Sequence, residues 1–198
     1  MTITLATHNE GKLTEFRELM PGILLQALAG PLPEETGKSY AENALIKARA
    51  AHRECGGYVL ADDSGLSIDL LDGAPGLYSS RFAGAEAGYD DKIALIWDLL
   101  KGTSPADWTA SFHCVLAFIL PDGTEHTFEG RVDGMIVPEK RGQNGFGFDP
   151  VFYVPSLGKT TAELNPAEKN KISHRGLAVQ KLQSFLLEQK IGRTAGNA

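Results

Sequence analysis

A run of four apolar residues, Tyr58-Val59-Leu60-Ala61, leads straight into two adjacent carboxylates, Asp62-Asp63, and then into Ser64-Gly65-Leu66. A short apolar run of this kind reads as a buried strand. It is predicted to end at the acids, with Ser67-Ile68-Asp69-Leu70-Leu71 opening a second apolar segment. Burying unpaired charge is costly, so two acids at a buried strand end call for something cationic beside them. In α/β proteins ligands gather at such strand ends. A hard divalent cation is the simplest neutraliser, and Mg²⁺ typically takes one or two carboxylates together with substrate phosphates. The same residues also compose an ordinary solvated turn, so the weight of this stretch depends on what surrounds it.

The 198-residue chain is long enough for one domain with a sizeable core, expected over 1–191, with a polar, flexible tail at 192–198. A net charge of −6 argues against a nucleic-acid surface, which is normally basic. It leaves room for a small anionic ligand if the cations are gathered in one place. Cys55 and Cys114 lie far apart without metal-ligand spacing, so reduced thiols in a cytoplasmic protein are expected. The start, Met1-Thr2-Ile3-Thr4-Leu5-Ala6, has neither a basic region nor a long apolar stretch, so neither signal peptide nor membrane span is expected.

Ile3 to Ala6 reads as a strand. It runs into Thr7-His8-Asn9-Glu10-Gly11-Lys12 and then a helix with Leu13, Phe16, Leu19 and Met20 on one face. Strand, polar turn and helix start make a phosphate cradle, because the first amides of a helix are unpaired and favour anions. Lys12 runs against the dipole preference for acids in a first turn, which a phosphate would explain. The plainer reading is that Asn9 caps the helix and Lys12 is solvated. The loop does not fit the phosphate-binding pattern Gly-x-x-x-x-Gly-Lys-Ser/Thr. After a second strand at Ile23–Ala27, Glu34 and Glu35 sit in a loop without an evident structural task, whereas Glu42 completes a capping box with Ser39. Lys47 and Arg49 lie on the helix that follows, either or neither within reach of a phosphate.

The segment 72–82, with glycines and aromatics, reads as a lid or a subunit contact. Ile93, Ile96, Trp97 and Leu100 keep helical spacing, with Trp97 expected in the core. Ser111–Leu120, the turn Pro121-Asp122-Gly123 and Thr124–Val132 predict a hairpin, hence a mixed sheet. His113 is expected as a satisfied core histidine. In Gly142-Gln143-Asn144-Gly145-Phe146-Gly147-Phe148-Asp149-Pro150, glycines give backbone access and phenylalanines give flat faces, a combination suited to a planar base; a hairpin end with two core phenylalanines is the alternative. Asn165-Pro166-Ala167-Glu168 has the form of a helix start. Ser173 reads as a further cap, with His174 and Arg175 in its first turn. Lys169, Lys171, His174 and Arg175 crowd cations at a helix start, where an anion or a carbonyl would favour them.

Together these pieces resemble the non-canonical purine nucleoside triphosphate pyrophosphatases, the inosine triphosphate or dITP/XTP pyrophosphatase type. The resemblance spans nearly the whole chain. It rests on Thr7-x-Asn9-x-x-Lys12, Glu34-Glu35-Thr36-Gly37, Glu42-Asn43-Ala44, Ala61-Asp62-Asp63-Ser64-Gly65-Leu66, Gly73-Ala74-Pro75-Gly76, Phe146-Gly147-Phe148-Asp149-Pro150, and Glu168-Lys169 with Ser173-His174-Arg175-Gly176. Asn144 stands where many bacterial members would be expected to carry glycine. The resemblance implies a mixed α/β fold, elongated and two-lobed around a central cleft, and a homodimer with no nucleic-acid or membrane partner. It implies Mg²⁺-dependent hydrolysis of ITP, dITP and XTP to the monophosphate and pyrophosphate, clearing deaminated purines. By matching position it makes Asp63 the acid that activates water, with Glu34 and Asp63 at the metal and Glu35 and Asp62 as neighbours. It assigns Thr7, His8, Asn9, Glu10, Gly11, Lys12, Lys47, Ser64 and Lys169 to phosphates or sugar, and Phe146, Gly147, Phe148, Asp149, His174 and Arg175 to the base.

Three other readings compete. The Maf-like pyrophosphatases share the fold type but would need another base loop. A nucleotide-binding regulator without turnover would be expected to lack an acid at Asp63. An aspartyl-nucleophile phosphatase would need Asp-x-Asp at the first strand end, whereas Asp62 and Asp63 are adjacent.

Overall fold

The computed structural model describes residues 1–84 and 86–191, so the tail expected at 192–198 lies outside the described residues. The chain runs β1 (Thr2–Leu5), α1 (Glu10–Leu19), β2 (Leu24–Ala27), α2 (Tyr40–Cys55), β3 (Tyr58–Ile68), α3 (Tyr89–Leu99), β4 (Thr109–Ile119), β5 (Glu125–Ile136), β6 (Phe152–Val154), β7 (Lys159–Thr160), α4 (Pro166–Ile172) and α5 (His174–Glu188). The seven strands form one sheet in the order β2-β1-β3-β4-β5-β6-β7. β1 lies parallel to β2 and β3, and the remaining pairs are antiparallel. The sheet is therefore mixed, as the hairpin at Pro121-Asp122-Gly123 requires.

β3 corrects one expectation. It does not end at the acids but continues through Asp62 and Asp63 to Ile68 as a single 11-residue strand, paired with β4 from Val59↔Ile119 to Ile68↔Ala110. Side chains alternate across a strand, so adjacent acids face opposite sides of the sheet. Each side supplies its own cations, which is why the strand need not break. β1 stops level with Leu60, where the Ala6 amide donates to the Leu60 carbonyl at 2.8 Å. Beyond that point β3 has lost its parallel neighbour, and the acids stand at the resulting step.

Two helical layers cover one end of the sheet. On one face α1, its C-cap Met20 and α5 pack Leu13, Phe16, Met20, Ala178, Leu182 and Leu186 against Ile3, Leu5, Leu60, Leu116 and Phe118. On the other, the small Ala44, Ala48 and Ala51 of α2 lie on Val59, Ala61, Ala117 and Ile119. At the far end of β3 and β4 a second core joins Leu66, Ile68 and Phe112 to Ile93 and Ile96 of α3, to its C-cap Leu100, and to Phe148 and Phe152. Trp97 is only half-buried beside that core, its indole N–H donating to the Val137 carbonyl at 2.9 Å. His113 is half-buried, stacked on Tyr40 and bonded to the Ser111 hydroxyl at 2.9 Å.

The helix starts obey their caps. Asn9 accepts from the Lys12 amide, Ser39 from Glu42, Asn165 from Glu168 and Ser173 from Gly176. α5 comes onto the sheet at Gly130 of β5, where a Cβ would stand 2.0 Å from the His174 carbonyl oxygen. That close approach sets the depth of His174 and Arg175.

Candidate active site

A cleft of about 490 Å³ opens at the step beside β3, between the two cores, a size ordinary for small-molecule sites. Thr7, His8, Asn9 and Lys12 line it from the turn after β1, and Glu34 and Glu35 from the loop after β2. Lys47 reaches in from α2, and Asp63 and Ser64 form the floor on β3. Phe146, Gly147, Phe148 and Asp149 form the opposite wall with Lys169, His174 and Arg175. Residues more than 160 positions apart thus converge on one cavity. Glu10 and Gly11 do not. They line a second cavity, about 320 Å³, behind Phe146. A Cβ on Gly11 would lie 2.8 Å from the Phe146 ring, so this glycine lets α1 back onto that ring.

The two acids have opposite electrostatics. Asp62 is fully enclosed, with Lys12 Nζ at 2.9 Å and Arg175 and the Ser64 hydroxyl at 3.2 Å, all on Oδ2. Burial alone would raise its pKa, but Lys12, Arg175 and Lys47 outweigh it and hold the carboxyl well below the usual range. Asp63 accepts from the Asn43 amide at 3.0 Å and from the Ser64 backbone N–H at 3.0 Å, with Lys47 Nζ at 3.8 Å. Burial and the nearby Glu35 carboxylate push it up to about 6, against Lys47. Lys47 is tied more closely to Glu35, at 2.5 Å. Its own pKa is raised, because Asp62, Asp63 and Glu35 outweigh its burial. Glu34 is exposed at the cleft mouth.

Behind the cleft, in the wall of the second cavity, Glu15 of α1 lies between two buried cations, at 2.5 Å from Lys169 Nζ and in contact with the Arg175 guanidinium. Lys169 also holds Asp149 at 2.5 Å. Asp149 accepts from the Phe146 amide at 2.8 Å and from the Thr161 hydroxyl at 2.8 Å, so it fixes the glycine-rich loop from within. The Phe146 ring stands in the cleft, with Lys169 and Arg175 near its face at 5.3 and 5.8 Å. Phe148 instead belongs to the core, edge-on to Tyr89. His174 stacks on Phe112 at 4.7 Å. Its burial and the positive charges of Arg175 and Lys169 depress its pKa well below the usual value, so it is neutral. The buried Nδ1 of His174, Nε of Arg175 and Oδ1 of Asp62 have no partner within the described chain. Buried polar atoms normally have one.

Glu15, Asn43 and Arg81 were not legible as site residues from composition and pattern. Glu15 falls off the Leu13-Phe16-Met20 stripe and reads as a solvated acid; its spacing of three from Lys12 was the available signal, since such pairs share a helix face. Asn43 carries a signal only as a polar residue on the buried side of α2.

A model of the Ham1 family matches residues 3–185. The dITP/XTP pyrophosphatase of Bacillus licheniformis is 45% identical over 190 residues, covering 93% of this chain and 97% of that one. The chain belongs to the Ham1 family. Its Ham1 relative in Coxiella burnetii, also named a dITP/XTP pyrophosphatase, is 44% identical over 195 residues, covering 95% of this chain and 98% of that one. The solved HAM1 protein of Coxiella burnetii superposes with a TM-score of 0.85 at 44% identity, covering 95% and 99% of the two chains. For the Staphylococcus aureus Ham1 protein the values are 0.84, 39%, 96% and 100%.

Proposed function

We propose that this Ham1 chain, through a domain spanning 1–191, hydrolyses deaminated purine nucleoside triphosphates (ITP, dITP and XTP) to the monophosphate and pyrophosphate. The observation that carries the reading is the cleft itself, in which one carboxylate with a raised pKa faces a set of cations across a space suited to a nucleotide. Asp63, at about 6, has the basicity of a general base poised near neutral pH. It takes a proton from the water that attacks the α-phosphorus, and the bond to the bridging oxygen breaks as pyrophosphate leaves. Negative charge grows on that leaving group, and Lys47 and Lys12 stand where they can offset it, the main task in phosphoryl-type transfer.

A divalent cation fits this chain. Asp63 and Glu35 are close enough for the one to raise the pKa of the other, and with Glu34 they offer only hard oxygen donors. Among the described residues no three metal-ligating side chains form a ready group. Mg²⁺ takes few carboxylates and completes its shell with phosphate oxygens and water, so the Asp63, Glu35 and Glu34 oxygens are the donors this chain would offer it. When bound, the cation supplies positive charge to the phosphates and acidifies water near it.

At the other end, Phe146 offers a face for the base. The Phe146 and Asp149 amides are engaged within the loop, at 2.8 Å to Asp149 Oδ2 and 3.3 Å to the Phe146 carbonyl. The Gly147 and Phe148 amides make no hydrogen bond within the described residues and remain as donors for a C6 carbonyl, and neutral His174 lines the same cleft. Hypoxanthine and xanthine present that carbonyl, and adenine presents an amino group that would face donors. Buried polar groups left unpaired reject the wrong ligand strongly. GTP shares the carbonyl and differs at C2. We further place the protein in the cytoplasm as a homodimer, which rests on the resemblance and on the free thiols of Cys55 and Cys114. Pyrophosphate release measured across a panel of nucleotides tests the reading.

A further inference from the structure

Five cationic side chains line the cleft among the described residues: Lys12, Lys47, Arg81, Lys169 and Arg175. Four are fastened to carboxylates. Lys12 meets Asp62 at 2.9 Å, Lys47 meets Glu35 at 2.5 Å, Lys169 meets Glu15 and Asp149 at 2.5 Å, and Arg175 is held by Glu15 and Asp62. Arg81 differs. Its nearest carboxylate, Glu35, is 3.8 Å away, and its side chain is 42% exposed. An ion pair this long and this wet contributes little.

The loop that carries Arg81 is nonetheless built. The Ser79 hydroxyl donates to the Gly76 carbonyl at 2.6 Å and accepts from the Leu66 amide of β3 at 3.0 Å. The buried Lys92 of α3 donates to the Ser80 carbonyl at 2.6 Å. The Arg81 guanidinium lies over the Tyr78 ring at 4.8 Å. The chain is thus pinned at the two residues just before a guanidinium that has no close carboxylate. It faces Glu35, the carboxylate that Lys47 also holds, and lines the same cleft as Asp63.

We infer that Arg81 binds the terminal phosphates of the substrate and holds pyrophosphate as it leaves. This rests on the reading of the cleft as a nucleoside triphosphate site. A guanidinium presents paired donors that match phosphate oxygens. Arg81 is the one of the five that can turn to a phosphate without breaking a close ion pair. It therefore makes the chain length of the phosphate a determinant of binding, so that a triphosphate is preferred to a diphosphate.

The test is binding of inorganic pyrophosphate and of IMP, each with Mg²⁺, by calorimetry, alongside steady-state hydrolysis of ITP and IDP. Wild type is compared with Arg81→Ala and Arg81→Lys, with melting temperatures confirming that both variants fold. In Arg81→Ala, pyrophosphate affinity should fall on the order of 10- to 100-fold, the range for a lost charge-assisted hydrogen bond. IMP affinity should stay as in wild type, and the preference for ITP over IDP should shrink by a similar factor. Arg81→Lys should recover part of the pyrophosphate affinity. Unchanged pyrophosphate affinity in Arg81→Ala would overturn the assignment. So would an equal loss for IMP and pyrophosphate, which would mark Arg81 as a prop for the loop. If wild type bound pyrophosphate but released none from ITP, the proposed reaction would fail, and the binding arms would still decide Arg81.

Discussion

In β3 the pleat sends Asp62 toward Lys12 and Arg175 and Asp63 toward Asn43 and Lys47, so two identical side chains one residue apart hold opposite protonation tendencies. Asp63→Asn keeps the shape and removes the base, so turnover of ITP should fall by about 10²-fold or more. The same change should stabilise the metal-free fold. Asp63 rises from its ordinary 3.8 to about 6, which makes the folded state the tighter proton binder. That contribution is fully present below the unfolded pKa and is lost as pH rises through about 6. In chelator at pH 7.5 urea denaturation should therefore show the variant more stable than wild type, by up to about 3 kcal/mol, with the gap closing toward pH 4. A gap of constant size across that range would show that Asp63 is not under this strain. Glu15 carries the reverse sign. Burial opposes its ionisation, but Arg175 and Lys169 outweigh that and lower its pKa, so its contribution is present at neutral pH and is lost as pH falls. Glu15→Gln leaves two buried cations short of a partner, and urea denaturation should register a loss of about 3 kcal/mol or more.

At the scale of elements, what the sequence made legible was whatever local rules decide. The caps Asn9, Ser39, Asn165 and Ser173, the hairpin turn and the helix at Ile93 to Leu100 follow from short-range spacing, and all stand in the structure. The continuity of β3 through two acids did not follow, because it depends on cations delivered by α1, α2 and α5 from elsewhere in the chain. The committed pairing of Lys169 and Arg175 with Glu15 was hidden for the same reason: a helical acid beside Phe16 looks solvated until α4 and α5 are placed against it. Gly130 tests how far this placement depends on one contact. Gly130→Val puts side-chain atoms where the His174 carbonyl and the Ala178 amide now lie, 2.0 and 2.7 Å from an ideal Cβ. Overpacking of this kind costs about 1–3 kcal/mol, and α5 must lift with its two site residues. Melting temperature and ITP turnover should both fall. A variant that melts with wild type would show that α5 is not set by this approach.

The whole molecule carries a net charge of −6 yet concentrates cations in one cleft at the step between two cores. An anion drawn to that cleft meets a focused local field, whatever the overall charge. Removal of divalent cations with excess chelator should abolish hydrolysis, and activity retained in full would remove the metal from the scheme. Sedimentation at micromolar concentration should show a homodimer, and a monomer would count against that part of the proposal. The central claim concerns what the cleft cleaves and which base it admits. The direct measurement is kcat/KM with product identification for ITP, XTP, dITP, GTP and ATP in the presence of Mg²⁺. The expected result is pyrophosphate with the matching monophosphate, and a preference for ITP, dITP and XTP over ATP of about 10²-fold or more. Release of orthophosphate with a diphosphate product, or ATP turned over as well as ITP, would contradict it.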